Sequence, residues 1–202
     1  MSGRPGESRR FRVRTQVYEY FRSFFLGNSD AVAQRLEMLC KLPVDEAEDV
    51  VELVDHVLGS GADANLLKGL CELLESISES AGVVKVREAI LVEEERTSGA
   101  ESKEAGVTLA SLGIAYGQLG DHTKKRDMLE RALAINERAF GRDHTSVAST
   151  LTNLGNAYGA LGDYTKKRDM LERALAIFER AYGPDHPHTK YTKGALAKLP
   201  SA

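Results

Sequence analysis

Three histidines and an aspartate are the side chains in this sequence that could most readily support chemistry. His144, His186 and His188 lie near a glycine or a proline, and Asp185 directly precedes His186. Imidazole and carboxylate groups are common ligands of transition metals. The pair Asp-His nevertheless recurs at two equivalent places, as a loop signal would, and no Cys or third His accompanies Asp185, His186 and His188. We therefore expect no metal site and no cofactor.

The motifs of common enzyme classes are missing from the sequence. It has no GxxxxGK[ST] loop to bind phosphates, no GxSxG turn to expose a nucleophilic serine and no HExxH helix to bind zinc. We therefore expect a protein that is not an enzyme and has no catalytic residues.

The motif TKKRD occurs twice and supplies the densest positive charge. Its cations lie at equivalent points of the two copies: Lys124, Lys125, Arg126, Lys166, Lys167 and Arg168. One interpretation is a basic ridge that could bind an acidic partner. The commoner explanation of such a pattern is a solvated helix face.

The sequence is dominated by an internal duplication with a period of 42 residues. Residues 109–150 and 151–192 align without a gap, differ at thirteen positions and are identical at the other 29. A degenerate copy covers residues 67–108, where VREAILVEEERTSG aligns with MLERALAINERAFG. Such a period indicates helical repeats that bury their apolar faces by stacking.

Each copy divides into two helices. Apolar residues at the start of the second copy recur at intervals of three and four, which places them on one helix face: Leu151, Leu154, Tyr158 and Leu161. Gly162 can end this helix, and Asp163 or Thr165 can cap the next. The second helix ends at Gly183, and Pro187 stands where a further helix could begin. No segment alternates with the period of a strand, so the sequence predicts an all-α fold.

The first helix of each copy resembles the signature of the tetratricopeptide repeat. The residues that carry this resemblance read LxxLGxAYxxLGDY over residues 151–164. The second helix and its exit, RALAIFERAYGPDHP, are similar to the 42-residue variant of kinesin light chains and nephrocystin-like proteins. The resemblance covers about residues 67–199. It implies a tetratricopeptide-type solenoid of antiparallel helix pairs that binds other proteins.

The sequence departs from this family at the first turn of the second helix. Where the family usually has a small Ala, this chain has Lys125 and Lys167. The lysine stem could lie along the helix interface while its ammonium reaches water. Alternatively, the two helices pack more loosely or the second helix starts at a shifted position.

Members of this family usually bind an extended peptide on a concave face lined by the first helix of each repeat. The resemblance places ten residues at inward positions: Ala110, Ile114, Gly117, Gln118, Thr152, Asn156, Gly159, Ala160, Gly194 and Lys198. Those predicted to bind a partner are Ile114, Gln118, Thr152, Asn156, Ala160 and Lys198. Asn156 is the leading candidate because its amide both donates and accepts hydrogen bonds. The alternative is that these residues face solvent and the partner binds elsewhere.

The family's clamp for acidic chaperone C-termini is not expected here. That clamp needs several Lys, Arg and Asn residues in the groove, whereas only Asn156 and Lys198 match and Ile114 is apolar. A role as a chaperone adaptor is therefore not predicted.

Charge and periodicity together suggest six segments. These are a basic N-terminal segment (1–27), a divergent helical cap (28–66), a degenerate repeat (67–108), two repeats (109–150 and 151–192) and a truncated C-terminal capping helix (193–202). Residues 1–27 carry a net charge of +4, residues 28–108 one of -11 and residues 109–202 one of +4. The acidic middle argues against nucleic acid as a partner, because phosphate binding needs a continuous positive surface.

These features favour an adaptor or scaffold that binds a peptide segment of another protein. The alternative is a structural subunit built permanently into a larger assembly. No apolar run is long enough for a membrane span. Two cysteines and no disulfide framework suit the cytoplasm, although the Arg-rich start could instead be an organelle transit peptide.

Overall fold

The part of the chain that the structure describes is built from α-helices. The computed structural model describes residues 80–200 together with residues 67, 68, 71, 72, 74 and 75. Between residues 80 and 200 it contains six helices and no strand: α1 (Ser80–Ser98), α2 (Lys103–Gln118), α3 (His122–Phe140), α4 (Thr145–Ala160), α5 (Tyr164–Tyr182) and α6 (Pro187–Ala197). The all-α fold expected from the sequence is confirmed for these residues.

The chain divides into two compact units, residues 1–86 and residues 87–202. The described residues of the first unit include a buried apolar group: Leu67, Cys71, Leu74, Val83 and Val86. A buried cysteine such as Cys71 packs as a small apolar residue. The predicted basic segment, the predicted cap (28–66) and Cys40 lie outside the described residues.

The helices follow the period of the sequence. The starts of α1, α3 and α5 are separated by steps of 42 residues, and the same step separates the starts of α2, α4 and α6. Helix α2 therefore pairs with α3 in the same way as α4 pairs with α5. We call α2, α4 and α6 the A helices, and α1, α3 and α5 the B helices.

Glycines allow the two helices of a pair to approach closely. A Cβ on Gly113 would lie 2.9 Å from Cγ of Leu129, and one on Gly106 would lie 2.8 Å from Cγ2 of Ile135. The earlier residue of α2 thus meets the later residue of α3, so the pair is antiparallel. Leu129 is completely buried, and burial of such a side chain contributes about 1.5–3 kcal/mol.

The ends of the B helices are fixed by the residues that the sequence singled out. The carboxylate of Asp163 accepts a hydrogen bond from the backbone N–H of Lys166 at 3.0 Å, and Asp121 does the same for Lys124 at 2.9 Å. Of the two predicted caps, the structure therefore assigns Asp163. Gly183 ends α5 with a φ of 81°, which a residue with a side chain rarely adopts.

Two of the three histidines, His144 and His186, are also N-caps. Nδ1 of His144 accepts a hydrogen bond from the backbone N–H of Ser146 at 3.1 Å, and Nδ1 of His186 accepts one from His188 at 3.3 Å. Pro187 lies at the start of α6, as predicted. The capping role of the histidine therefore explains why Asp-His recurs in the two copies.

Polar contacts with the same period tie each repeat to the next. Tyr158 on α4 donates a hydrogen bond to Glu130 on α3, and Tyr116 on α2 makes the equivalent bond to Glu88 on α1. Ion pairs repeat in the same way: Arg131 with Glu95 (2.6 Å) and Arg173 with Glu137 (2.5 Å), and Arg138 with Glu101 and Arg180 with Asp143. Exposed pairs of this kind contribute at most about 1 kcal/mol each, so their main effect is on the register between repeats.

Tyr116 and Tyr158 make the free energy of unfolding depend on pH in the alkaline range. Burial, and then the hydrogen bond to Glu88 or Glu130, raises the pKa of Tyr116 and of Tyr158 to about 12. In an unfolded chain the pKa of tyrosine is about 10. Because the pKa in the folded state is higher, the contribution of the two tyrosines to the free energy of unfolding is complete below about pH 10. It is lost as the pH rises towards about 12.

We predict that replacing both tyrosines by Phe reduces this dependence. Between about pH 10 and 11 the free energy of unfolding of the wild-type chain should fall more steeply than that of Tyr116→Phe/Tyr158→Phe. Urea titrations followed by circular dichroism measure both curves. Tyr164→Phe removes an exposed hydroxyl that makes no hydrogen bond among the described residues, and is the control. Identical pH slopes for the wild-type chain and the double variant would contradict the prediction.

We also predict that Asp163, and not Thr165, caps α5. Asp163→Ala should lower the free energy of unfolding by about 1 kcal/mol, the usual effect of losing an N-cap. Thr165→Ala changes an exposed neighbour on the same turn and should have almost no effect. Urea denaturation of the two variants compares them directly, and a larger loss for Thr165→Ala would refute the assignment.

Candidate peptide-binding groove

The A helices carry nine of the ten residues that the sequence placed at inward positions, and the tenth, Lys198, directly follows α6. Four are exposed: Ile114, Gln118, Ala160 and Lys198. Five are partly exposed: Ala110, Gly117, Asn156, Gly159 and Gly194. Thr152 is buried, with 8% of its surface accessible. We call the side of α2, α4 and α6 that carries these residues the groove face.

A pocket on the groove face brings together two of the predicted residues. It has a volume of about 200 Å³ and is lined by Ser149, Thr152, Asn153, Asn156, Phe178, His188, Tyr191 and Thr192. These side chains come from α4, α5 and α6. Ile114, Gln118, Ala160 and Lys198 do not line this pocket.

The side chain of Asn156 makes a hydrogen bond across the pocket. Its Nδ2 donates to the hydroxyl of Tyr191 at 3.2 Å, so the bond joins α4 to α6. The hydroxyl of Tyr191 and the Oδ1 of Asn156 remain able to bond further groups. Thr152, by contrast, donates its hydroxyl to the carbonyl of Ala148 at 2.9 Å. Asn156 and Tyr191 are therefore the side chains best placed to hydrogen-bond a ligand.

The base of the pocket is aromatic. Phe178 is 2% exposed, and the ring of His188 stacks on it with the ring centroids 5.3 Å apart. Sequence reasoning did not place Phe178, His188 or Tyr191 at the site, because they lie outside the first helix of the second copy. A usable signal existed, since all three are among the positions at which the two copies differ.

The groove face is where the two copies differ within their A helices. Between residues 109–119 and 151–161 the copies differ at four positions: Ala110/Thr152, Ser111/Asn153, Ile114/Asn156 and Gln118/Ala160. Three of these pairs lie at predicted inward positions. In the remaining pair, Asn153 lines the pocket. The surface between α2 and α4 consequently differs from the pocket, since Val107 and Ile114 are exposed there.

A second difference between the copies lies beneath the groove face. Asn136 on α3 stands where α5 has Phe178. Asn136 is buried and donates a hydrogen bond from Nδ2 to the hydroxyl of Thr150 at 3.1 Å. The aromatic base is thus confined to the pocket between α4 and α6.

The two lysines that depart from the family pattern lie against glycines of the A helices. A Cβ on Gly159 would lie 2.5 Å from Cδ and 3.0 Å from Nζ of Lys167. The corresponding distances from Gly117 to Lys125 are 2.8 and 3.1 Å. The lysine stem therefore crosses the A helix at a glycine, which is the first of the alternatives drawn from the sequence. Glycine compensates for the loss of the usual small Ala.

This placement changes the interpretation of TKKRD as one basic ridge. Lys124 and Lys166 lie 4.8 Å from the rings of Tyr116 and Tyr158 and pair with Asp121 and Asp163. Arg126 pairs with Asp127, and Arg168 donates to the carbonyl of Pro200. Because successive helix residues point in different directions, the three cations of each copy have separate surroundings.

Residues 80–200 and the few described residues before them contain neither a metal-binding cluster of side chains nor a membrane-spanning helix. No group of three or more His, Cys, Asp or Glu side chains there is arranged to hold a metal ion. None of the helices in that part of the chain is both long and apolar enough to cross a membrane.

The stacked antiparallel pairs and their groove face define a tetratricopeptide-type helical solenoid. The tetratricopeptide repeat family model matches residues 104–177, and these residues are tetratricopeptide repeats. The predicted tetratricopeptide repeat class is confirmed over these residues, and solved structures that share the fold include kinesin light chain-like repeat proteins. Tetratricopeptide repeats generally bind protein partners and are generally not enzymes.

Solved structures with the same fold cover most of the chain. BtubC (BKLC) from P. vanneervenii is 20% identical, with a TM-score of 0.59 over 94% of this chain and 82% of that one. A kinesin light chain-like protein with nearly identical TPR-like repeats, from Podosopora anserina, is 19% identical, with a TM-score of 0.57 over 95% of this chain and 86% of that one. No curated protein sequence matches the chain.

Proposed function

We propose that this protein is an adaptor or scaffold that binds a peptide segment of a partner protein along its groove face. The observation that carries the proposal is the pocket between α4, α5 and α6, which combines a buried aromatic base with hydrogen-bonding side chains. A small concave site with an apolar floor and a few polar groups is a typical ligand site. The cytoplasm is the setting that the cysteine content favours.

The pocket suits an extended peptide because its polar groups are already held near each other. Asn156 and Tyr191 bond across the pocket at 3.2 Å, and both retain hydrogen-bonding capacity. A peptide backbone offers alternating N–H and C=O groups that can meet this donor and acceptor. One partner side chain would enter the pocket and contact Phe178 and His188.

The surface between α2 and α4 would contact a different part of the same peptide. Val107 and Ile114 are exposed there and offer apolar contact. Removing such side chains from water on binding is favourable in proportion to the apolar area covered. A peptide that crosses both surfaces would therefore place an apolar residue against α2 and α4 and a polar residue against α4 and α6.

A selection from a random-peptide phage library with the full chain as bait tests this function. Peptides that bind should compete with one another for one site, and each should cover the groove face. The chain purified by itself should be a stable monomer, as measured by light scattering. Failure to select any peptide, together with aggregation of the isolated chain, would favour the alternative of a subunit built permanently into an assembly.

We predict that Asn156→Ala weakens the binding of a selected peptide by about 1–3 kcal/mol. This is the usual effect of leaving a buried polar group without a partner. Stability should change little, because the lost bond is exposed and Ala has the higher helix propensity. Isothermal titration calorimetry measures the affinity. Glu172→Ala, on α5 outside the pocket, is the control and should bind normally. Equal affinities for Asn156→Ala and the wild-type chain would exclude this amide from the binding site.

A further inference from the structure

Almost half of the differences between the two copies of the repeat lie at the pocket on the groove face. The copies differ at thirteen positions, and at six of these the residue of the second copy lines the pocket: Thr152, Asn153, Asn156, Phe178, His188 and Tyr191. The first copy has the exposed apolar residue Ile114 where the second has Asn156. The second copy has therefore gained hydrogen-bonding groups at one site.

Two hydroxyl groups of α4 line the pocket as hydrogen-bond acceptors. Ser149 donates its proton to the carbonyl of Thr145 at 3.2 Å, and Thr152 donates its proton to the carbonyl of Ala148 at 2.9 Å. A hydroxyl group has one proton and two lone pairs, so each of these oxygens can still accept a hydrogen bond. Both oxygens therefore suit an N–H group of a ligand and not a carboxylate oxygen.

Other side chains of the pocket supply donors. The hydroxyl of Tyr191 accepts from Nδ2 of Asn156 at 3.2 Å, so its own proton is available to a ligand. Asn153 contributes a second amide, which can both donate and accept. The pocket thus combines donors with acceptors.

This set of groups suits a neutral ligand. Of the described residues that line the pocket, none is an Asp, Glu, Lys or Arg. Moving a charged group from water into a site without an opposite charge is unfavourable. A carboxylate would also bring its lone pairs against the oxygens of Ser149 and Thr152, whereas an ammonium group would offer no acceptor to Tyr191. A primary carboxamide avoids both problems because it has two N–H donors and a carbonyl acceptor.

We propose that the pocket is a carboxamide subsite, and that the bound peptide places an Asn or Gln side chain in it. The NH2 group of that side chain donates to the oxygens of α4, and its carbonyl accepts from Tyr191. The volume of about 200 Å³ is below the range of about 300–1,000 Å³ for drug-sized ligands, so one side chain fills the pocket. This inference rests on the proposed function of the groove and specifies which partner side chain enters the pocket.

Binding of amino-acid analogues to the full chain tests the inference without a selected peptide. N-acetylglutamine methylamide and N-acetylglutamate methylamide have the same shape and differ in carrying an amide or a carboxylate. NMR chemical shifts of the backbone amides measure both the affinity and the site. At pH 7 the glutamine analogue should shift Asn153, Asn156 and Tyr191 with a Kd on the order of 1 mM. The glutamate, lysine and phenylalanine analogues should each bind at least about tenfold more weakly.

Two substitutions that introduce residues of the first copy form a matched pair. Asn156→Ile removes the amide from the pocket, whereas Tyr164→His changes an exposed residue that does not line it. The fold should persist in both variants, because Ile114 and His122 occupy the equivalent positions of the first copy. Asn156→Ile should weaken binding of the glutamine analogue about tenfold, and Tyr164→His less than about twofold. Tyr191→Phe keeps the ring, removes the donor and should weaken binding several-fold.

Four outcomes would overturn the inference. They are no saturable binding of the glutamine analogue, equally tight binding of one of the other analogues, unchanged affinity in Asn156→Ile, or shifts confined to residues outside the pocket. The proposed function fails separately. If phage-selected peptides bind the groove face and share no Asn or Gln, the groove function stands and the carboxamide subsite is rejected. If the glutamine analogue binds as expected but no peptide is selected, the subsite stands and the adaptor function is rejected.

Discussion

The close approach of paired helices at glycine is the constraint on which the rest of this structure depends. A Cβ on Gly113 or Gly155 would press on Leu129 or Leu171, so a larger residue at either position would force the paired helices to adjust. This close approach brings the first turn of each B helix against the end of its A helix. A long side chain at this turn has no room between the helices, and Lys125 therefore extends across Gly117 towards the groove face.

The repeats separate their charges according to the surfaces that they form. Carboxylates of one repeat face arginines and tyrosines of the next, as in the bond of Tyr158 to Glu130 and the ion pair of Arg173 with Glu137. The A helices contribute no carboxylate beyond their first turns. Stacking of repeats thus uses several of the carboxylates of the B helices.

The sequence predicted the features that depend on local chemistry and period. The 42-residue step, the cap at Asp163, the end at Gly183 and the start at Pro187 follow from helix periodicity and from the conformations that Asp, Gly and Pro favour. Each of these needs only a few neighbouring residues, so a pattern in the sequence is sufficient to locate it.

The composition of the pocket could not be predicted in the same way. Tyr191 meets Asn156 across 35 residues of sequence, and Phe178 contributes from a different helix. Such contacts depend on the separation and rotation of packed helices, which no local pattern specifies. The direction of Lys167 was likewise undecided, because both a stem along the interface and a looser pair of helices agree with the sequence. The stem of Lys167 lies where a Cβ on Gly159 would be, and this contact decides in favour of the first alternative.

The differences between the two copies bear on function only through the contacts that they create. Exposed positions of a helix can vary with little effect on stability, so a change from Ile114 to Asn156 would by itself show only that packing does not constrain the site. Here the changed residues meet one another. Asn156 bonds to Tyr191, and Phe178 forms the base beneath them. Because separate substitutions on three helices contribute to one pocket, the groove face presents two chemically distinct surfaces to a single bound segment.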